Sequence, residues 1–259
     1  MLTGVKGAAA SHSWLLTLAY DGAGYCGWQI QKNGTAVAAV LEGALKQISG
    51  KRVIAHGASR TDAGVHAEGQ RVRVTLPKAW RGADLQRSLN SLLPPAIRVM
   101  ALHACPEEFN PRLKARLKTY RYQFFNGPAL PPFLSGTHLH LRRPLALAVM
   151  RDGAARFLGK HDFSAFRAAA GAAAQPHRTI ASSEIVQPAP GVIHYRVAGP
   201  GFMHQQVRIM AGTLIEIAQG KREVETIAAL LKNGGRAEAG LTAPPEGLVL
   251  ESIEYADRV

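Results

Sequence analysis

Ser13 to Tyr20 is a short apolar run closed by Asp21-Gly22, which predicts a buried strand. From Thr35 onward Val37, Val40, Leu41, Ala44, Leu45 and Ile48 recur at spacings of three and four, with Thr35 placed as N-cap and Gly50 as stop. That spacing predicts an amphipathic helix packed on a sheet. Arg52 to His56 reads as a short strand. Gln70 to Leu76 alternates, with Val72, Val74 and Leu76 on one face and Arg71, Arg73 and Thr75 on the other, so this sheet should have one basic side. Asp84 to Leu93 gathers Leu85, Leu89, Leu92 and Leu93 on one helical face before Pro94-Pro95 ends it, and Ile97 to His103 is a further strand.

The order to this point is strand, helix, strand, strand, helix, strand, the ferredoxin-like βαββαβ arrangement. Cys105 to Arg116 loses periodicity and reads as a linker. A second half then repeats the order: strand Leu117–Phe125, helix Pro144–Leu158, the pair Thr179–Gln187 and Val192–Val197, helix Met203–Gln219, helix Glu223–Leu231 and strand Gly247–Tyr255. The expected fold is α+β, two ferredoxin-like halves with mainly antiparallel sheets meeting at a central basic cleft, residues 1–105 carrying the first half and 106–259 the second. Ala168 to Pro176, almost all alanine and glycine, fits a helix or a mobile loop.

Gly57 to Gly69 stands apart from these elements. It is polar and glycine-rich, longer than a usual hairpin connection, and sets Asp62 between Arg60 and His66. Upstream, Gly22-Ala23-Gly24-Tyr25-Cys26-Gly27 matches the G-x-G-x-x-G dinucleotide fingerprint and follows a strand. The context fails, because Trp28 to Gly34 separates the last glycine from the helix and no acid ends the second strand to hold a ribose.

Charge narrows the partners. Lys+Arg 31 against Asp+Glu 18 leaves +13, spread from Lys51 to Arg236 rather than gathered in a tail, which points to a polyanion on a broad groove. Two cysteines, Cys26 and Cys105, form no CxxC pair and fit a reduced, cytoplasmic protein. Met1 to Ser13 has no apolar core of a signal peptide, and no run approaches membrane-spanning length, so neither export nor a membrane is expected. His138-Leu139-His140 places two imidazoles on one face of a strand without a third ligand at a telling spacing, and no metal is expected.

Three places offer chemistry. Asp62 can be a nucleophile, with an arginine two residues earlier to favour its charged form, or it can simply turn the loop; the residues leave both open. Tyr120 and Tyr122 share one face of a strand and Arg121 the other, which suits base stacking and phosphate neutralisation as well as an ordinary amphipathic strand. On the helix from Met203, Val207, Met210, Leu214 and Ile217 form a buried stripe with Arg208 and His204 on its flank, where Arg208 reaches a carboxylate or snorkels to water.

Tyr20-Asp21-Gly22, Tyr25, Gly27-Trp28-Gln29, Arg60-Thr61-Asp62-Ala63-Gly64-Val65-His66, Tyr120-Arg121-Tyr122, Asp162-Phe163-Ser164-Ala165-Phe166-Arg167, Val207-Arg208 with Gly212, and Glu246-Gly247-Leu248 with Leu250 occur in this order over Leu15 to Tyr255. In that order and spacing the chain resembles the tRNA pseudouridine synthase A family. The resemblance implies a cofactor-free isomerase, a homodimer with one tRNA crossing both subunits, acting on the 3′ side of the anticodon stem-loop. It makes Asp62 the nucleophile, attacking the pyrimidine at C6 or the ribose at C1′. Arg208 would pair with Asp62, Arg60 would help hold the flipped nucleotide, and Tyr120 would stack on the target base. Arg121, His66 and Leu248 complete the implied substrate-binding set. Ile209 departs from the family's usual Asn, and Gln205-Gln206 stands where a histidine and an apolar residue are common. A non-catalytic RNA-binding module and a nucleotide-dependent oxidoreductase are the alternative readings of the residues.

Overall fold

Strand β1 (Ser11–Tyr20) is followed by helix α1 (Val37–Ser49), strands β2 (His56–Gly57) and β3 (His66–Trp80), helix α2 (Gly82–Leu92) and strand β4 (Ile97–Ala104) in a computed structural model that describes residues 11–168 and 175–256. Residues 1–10, on which most of the reading of the N-terminus rests, and 169–174, most of the Ala-rich segment, lie outside the described residues. The chain divides into two compact units, one of Met1–Arg116 with Leu250–Val259 and one of Leu117–Val249.

In the first unit β1 is central, antiparallel to β4 on one side and β3 on the other, and β2 pairs with β3 through His56 opposite Arg73 and Gly57 opposite Val72. Trp14 lies opposite Val74 and Leu16 opposite Val72, so the apolar positions of the two strands stack on one face. Helix α2 packs against β4 on this side. A shift of register at Leu18 on the β1–β4 pair leaves Val99 to be satisfied from α2: Asn90 accepts from its N–H at 2.8 Å and donates to its carbonyl at 2.9 Å. The opposite face carries the basic side read from the sequence, with Arg71 Nη1 donating to Thr17 Oγ1 at 2.7 Å and Arg73 Nη1 to Thr75 Oγ1 at 3.2 Å.

Three local expectations are corrected here. The strand over Arg52–His56 reduces to the two residues of β2, although Val53 and Ala55 are buried and Ile54 is exposed as an alternating segment requires. Its backbone is tied elsewhere, since the Ala55 N–H donates to Glu42 Oε1 at 3.0 Å instead of to a strand. Strand β3 starts at His66, four residues before the expected onset, and runs on to Trp80; pairing with β1 overrides the polar, glycine-containing composition of its first turn. Thr35 does not cap α1. The N-cap is Ala36 without a side-chain bond, and the first N–H groups are taken by main-chain carbonyls, Val37 N to Gly27 O at 3.0 Å and Ala38 N to Trp28 O at 3.2 Å. Gly50 ends the helix in the left-handed region as expected.

The second unit holds β5 (Ala115–Asn126) from Leu117 on, β6 (Leu139–Leu141), α3 (Leu147–Ala155), β7 (Gly159–Asp162), β8 (His177–Ile180), β9 (Ser182–Ala189), β10 (Val192–Gly199), α4 (Gln206–Ala218) and α5 (Thr226–Asn233). Strand β10 is antiparallel to both β5 and β9, and β6 lies parallel to β5. The single strand expected over Thr179–Gln187 is split at Ala181, whose N–H turns to Ala198 O at 2.7 Å, so β8 leaves to form a separate two-stranded sheet with β7. In α4 every residue except Arg208 and Glu216 is buried, which makes it a core helix more than an amphipathic one. The last strand, β11 (Leu248–Tyr255), begins in the second unit and continues beside β3 in the first. The architecture is therefore mixed α+β on mostly antiparallel sheet.

Candidate active site

With β2 ending at Gly57 and β3 beginning at His66, the loop that carries Asp62 is Ala58–Val65. Its entry is bolted to β3. The Ala58 N–H donates to Arg71 O at 2.8 Å, and the fully buried Gln70 carboxamide accepts from Ser59 N–H at 3.1 Å while donating to Ser59 O at 2.7 Å. A buried amide that satisfies both main-chain groups of one residue costs nothing in unpaired polarity and fixes that residue twice.

The centre of the loop is held by the segment Gly22–Trp28. Trp28 N–H donates to Thr61 O at 3.1 Å, Gly64 N–H to Tyr25 O at 3.2 Å, and Val65 N–H closes the turn on Asp62 O at 3.2 Å. Thr61 Oγ1 lies 2.8 Å from the Tyr20 hydroxyl, with both residues buried, and the Tyr20 ring stacks on Trp28. The two segments approach so closely that side chains are excluded: a Cβ on Gly22 would stand 2.1 Å from Val65 O, and one on Gly27, whose φ is +100°, 2.5 Å from Thr61 O. The first and last glycines that imitate a dinucleotide fingerprint, Gly22 and Gly27, thus serve main-chain packing against the Asp62 loop, while a Cβ on Gly24 would meet nothing. Within this anchored frame Arg60 is exposed and Asp62 partly exposed.

His66 is buried, and its Nδ1 accepts from Gly22 N–H at 3.1 Å. The exposed Asp21 carboxylate lies 3.1 Å from the same Nδ1 and takes a hydrogen bond from Ala23 N–H at 2.9 Å.

The other sequence-predicted residues belong to the second unit. Tyr120 is buried and meets Phe202 edge to face at 5.2 Å. Arg121 lies opposite Arg196 on the other face of the sheet, where its Nε donates to Gln123 Oε1 at 3.2 Å. Tyr122 is wholly buried, donates to Pro244 O at 2.7 Å, and is kept in its neutral form by burial with Glu246 nearby. Arg208 and Ala243 clasp each other, with Arg208 Nε donating to Ala243 O at 2.7 Å and Ala243 N–H to Arg208 O at 3.1 Å. Leu248 is buried at the start of β11. His204 lies outside α4, so it does not flank Arg208 across a helical turn; its carbonyl accepts from Ala168 N–H at 3.3 Å.

The departures from the family pattern face inward. Ile209 is fully buried in α4, and Gln206, also fully buried, caps the approach to the helix by accepting from Met203 N–H at 2.9 Å. Gln205 before it has φ 59°, the one non-glycine residue in the left-handed region among the described residues. The Asp162-to-Arg167 motif is architectural as well: Asp162 accepts from Ser164 N–H at 2.7 Å, and Phe163 and Phe166 pack with Phe157. Hydrogen bonding from the Ser164 side chain first and its main chain second holds the Asp162 carboxyl below the usual range. His138 and His140 each engage one ring nitrogen, Nδ1 with Thr137 Oγ1 and Nε2 with Gly127 O, and no group of three metal-capable side chains occurs among the described residues.

Sequence reasoning quoted Tyr20 and Thr61 as motif residues and Gln70 as the start of a strand, and gave none of them a role. Gln70 left a trace, since it shares the parity of Val72, Val74 and Leu76 and is therefore a polar residue on a core face.

A family model described as tRNA pseudouridine synthase matches residues 154–256. Proteins named tRNA pseudouridine synthase A match nearly end to end. That of Myxococcus xanthus is 41% identical over 242 residues, covering 93% of this chain and 91% of the relative. That of Citrifermentans bemidjiense is 42% identical over 244 residues, covering 94% and 97%.

Proposed function

Because the chain belongs to the tRNA pseudouridine synthase A family, it is an isomerase that converts uridine to pseudouridine in tRNA, and we propose that Asp62 carries the reaction as its nucleophile. The observation that supports this role is the contrast at the loop: its main chain is pinned on both sides of Asp62, while Arg60 is exposed and Asp62 partly exposed. A nucleophile needs that combination of fixed backbone and reachable charge.

Isomerisation breaks the bond from uracil N1 to ribose C1′, turns the freed ring, and joins C5 to C1′. The proton displaced from C5 leaves and N1 gains one, so the atoms balance without a co-reactant. Attack by the Asp62 carboxylate at pyrimidine C6 gives an ester-linked adduct that is eliminated after C5 and C1′ are joined. Attack at C1′ instead expels uracil N1 and gives a glycosyl ester whose C1′–O bond breaks, returning the electron pair to the carboxylate, as C5 bonds to C1′. The uridine must first leave its stack, at a cost of about a few kcal/mol. Arg60 steadies the flipped nucleotide, Tyr120 stacks on the base, and Arg121, on the opposite face of its strand, meets backbone phosphate. Arg208 supplies a cation to the reacting centre, Leu248 an apolar wall, and buried His66 acts through Gly22.

Each unit is read as one ferredoxin-like repeat, supported by the order β4-β1-β3 with β2 on β3 in the first and β5-β10-β9 in the second. The same reading makes the working enzyme a cytoplasmic homodimer and places its target on the 3′ side of the anticodon stem-loop, with the +13 charge drawing in the tRNA backbone. Release of tritium from tRNA labelled at uridine C5 tests the nucleophile. Wild type releases label, and Asp62→Asn binds the tRNA without releasing it; equal release by both removes Asp62 from the role.

A further inference from the structure

Asp62 sits between two peptide planes that are both immobilised. The plane entering its Cα carries the Thr61 carbonyl, which accepts from Trp28 N–H at 3.1 Å. The plane leaving it carries the Asp62 carbonyl, which accepts from Val65 N–H at 3.2 Å. Gly27 lies against both, because a Cβ there would be 2.5 Å from Thr61 O, 3.0 Å from the Asp62 carbonyl carbon and 3.2 Å from Ala63 N. A side-chain tie into this frame next to Asp62 is the buried bond between Thr61 Oγ1 and the Tyr20 hydroxyl, 2.8 Å long and spanning 41 positions of sequence. Tyr20 ends β1 and its ring stacks on Trp28, the residue whose N–H holds Thr61 O. Strand β1 and the Gly22–Trp28 segment therefore grip Thr61 by side chain and main chain together.

We propose that Tyr20 is a positioning residue for the isomerisation: its hydroxyl, through Thr61, sets the direction in which the Asp62 carboxylate leaves the loop, and it touches no substrate itself. This rests on the reading of Asp62 as nucleophile. The two fixed peptide planes set the point and direction from which the Asp62 side chain departs, and small errors in the approach of a nucleophile are costly in rate. Loss of the Tyr20 bond loosens the plane that enters Asp62 while leaving the surface that meets tRNA unchanged.

The test compares Tyr20→Phe, Thr61→Ser, Thr61→Val and the double variant Tyr20→Phe/Thr61→Val, by single-turnover tritium release, tRNA affinity and thermal melting, with Asp62→Asn as reference. Tyr20→Phe strands the Thr61 hydroxyl and lowers both melting temperature and rate. The double variant removes both polar groups, and replacing both partners of a buried bond by apolar groups is close to neutral for stability. The expected result is that the double variant melts like wild type and binds tRNA like wild type but turns over about tenfold more slowly, the equivalent of ~1.4 kcal/mol of barrier. Thr61→Ser, which keeps the hydroxyl, retains the rate to within about twofold, less than 0.5 kcal/mol of barrier. A double variant with wild-type turnover overturns the proposal, as does a rate loss that follows tRNA affinity. If Asp62→Asn itself turns over normally, the nucleophile reading fails instead, and the two failures are told apart by that one control.

Discussion

Gly27 lies flat against the backbone of Asp62, with room for no more than a hydrogen on its α-carbon: a methyl there would meet Thr61 O at 2.5 Å and the Asp62 carbonyl carbon at 3.0 Å. Its φ of +100° also places it where L side chains are strained. Gly27→Ala is therefore expected to cost about 1–3 kcal/mol of stability from the backbone alone, and to displace the plane that carries Asp62. The denaturant midpoint falls, and tritium release falls by more than the folded fraction does. A variant that loses stability but keeps full turnover per folded molecule would separate the close approach from catalysis.

Gln70 gives a second handle on the same loop. Gln70→Leu removes both bonds to the half-buried Ser59 main chain, for an expected loss of about 1–3 kcal/mol. Gln70→Glu can still accept from Ser59 N–H but, when ionised, cannot donate to Ser59 O. Its loss at neutral pH should shrink in acid as the carboxyl gains a proton and the donor returns. Urea unfolding of both variants at two pH values reads this directly; equal losses for Gln70→Leu and Gln70→Glu at low pH would deny the carboxamide its double role.

His138 links stability in the second unit to pH. Burial, with the Arg121 guanidinium nearby, holds its imidazole below the ordinary value. As pH falls through the usual imidazole range near about 6.5, the unfolded chain takes up the proton first. The contribution of His138 is therefore complete above that range and is lost as the pH drops through its lower folded value. In His138→Gln the slope of unfolding free energy against pH between about 5 and 7 should lessen, by at most ~1.4 kcal/mol per pH unit for one proton. An unchanged slope would show that the imidazole is equally easy to charge in both states.

The elements that came through from the sequence were the apolar run of β1, the strands β4 and β10, and the two helices whose periodicity settles one face, α2 and α1 with its Gly50 stop. Where partners outside the segment supply the hydrogen bonds, the pattern misled. Thr35 looked like a cap because the carbonyls of Gly27 and Trp28, which take the first N–H groups of α1, are set by tertiary packing. His66 to Gly69 looked like loop because pairing with β1, not local preference, makes them strand. Asp62 and Arg60 stood out by charge in a polar loop, and the family motif gave them roles. The residues that brace them did not, because Tyr20, Trp28 and Thr61 read as ordinary strand and turn residues until β1 and the loop are brought together. Gln70 was the exception, visible as an amide among valines on the core side of β3.

The glycine-spaced segment Gly22–Gly27 has a bearing on protein engineering. Because Val65, Thr61 and Gly64 all rest on it by main-chain contact, the eight residues Ala58–Val65 are not a portable part. Grafted into another scaffold, the Arg-Thr-Asp sequence would arrive without the surface that shapes it. The smallest unit that could be moved with its geometry intact runs from Tyr20 at the end of β1, through Trp28 and the helix it caps, to Gln70 in β3.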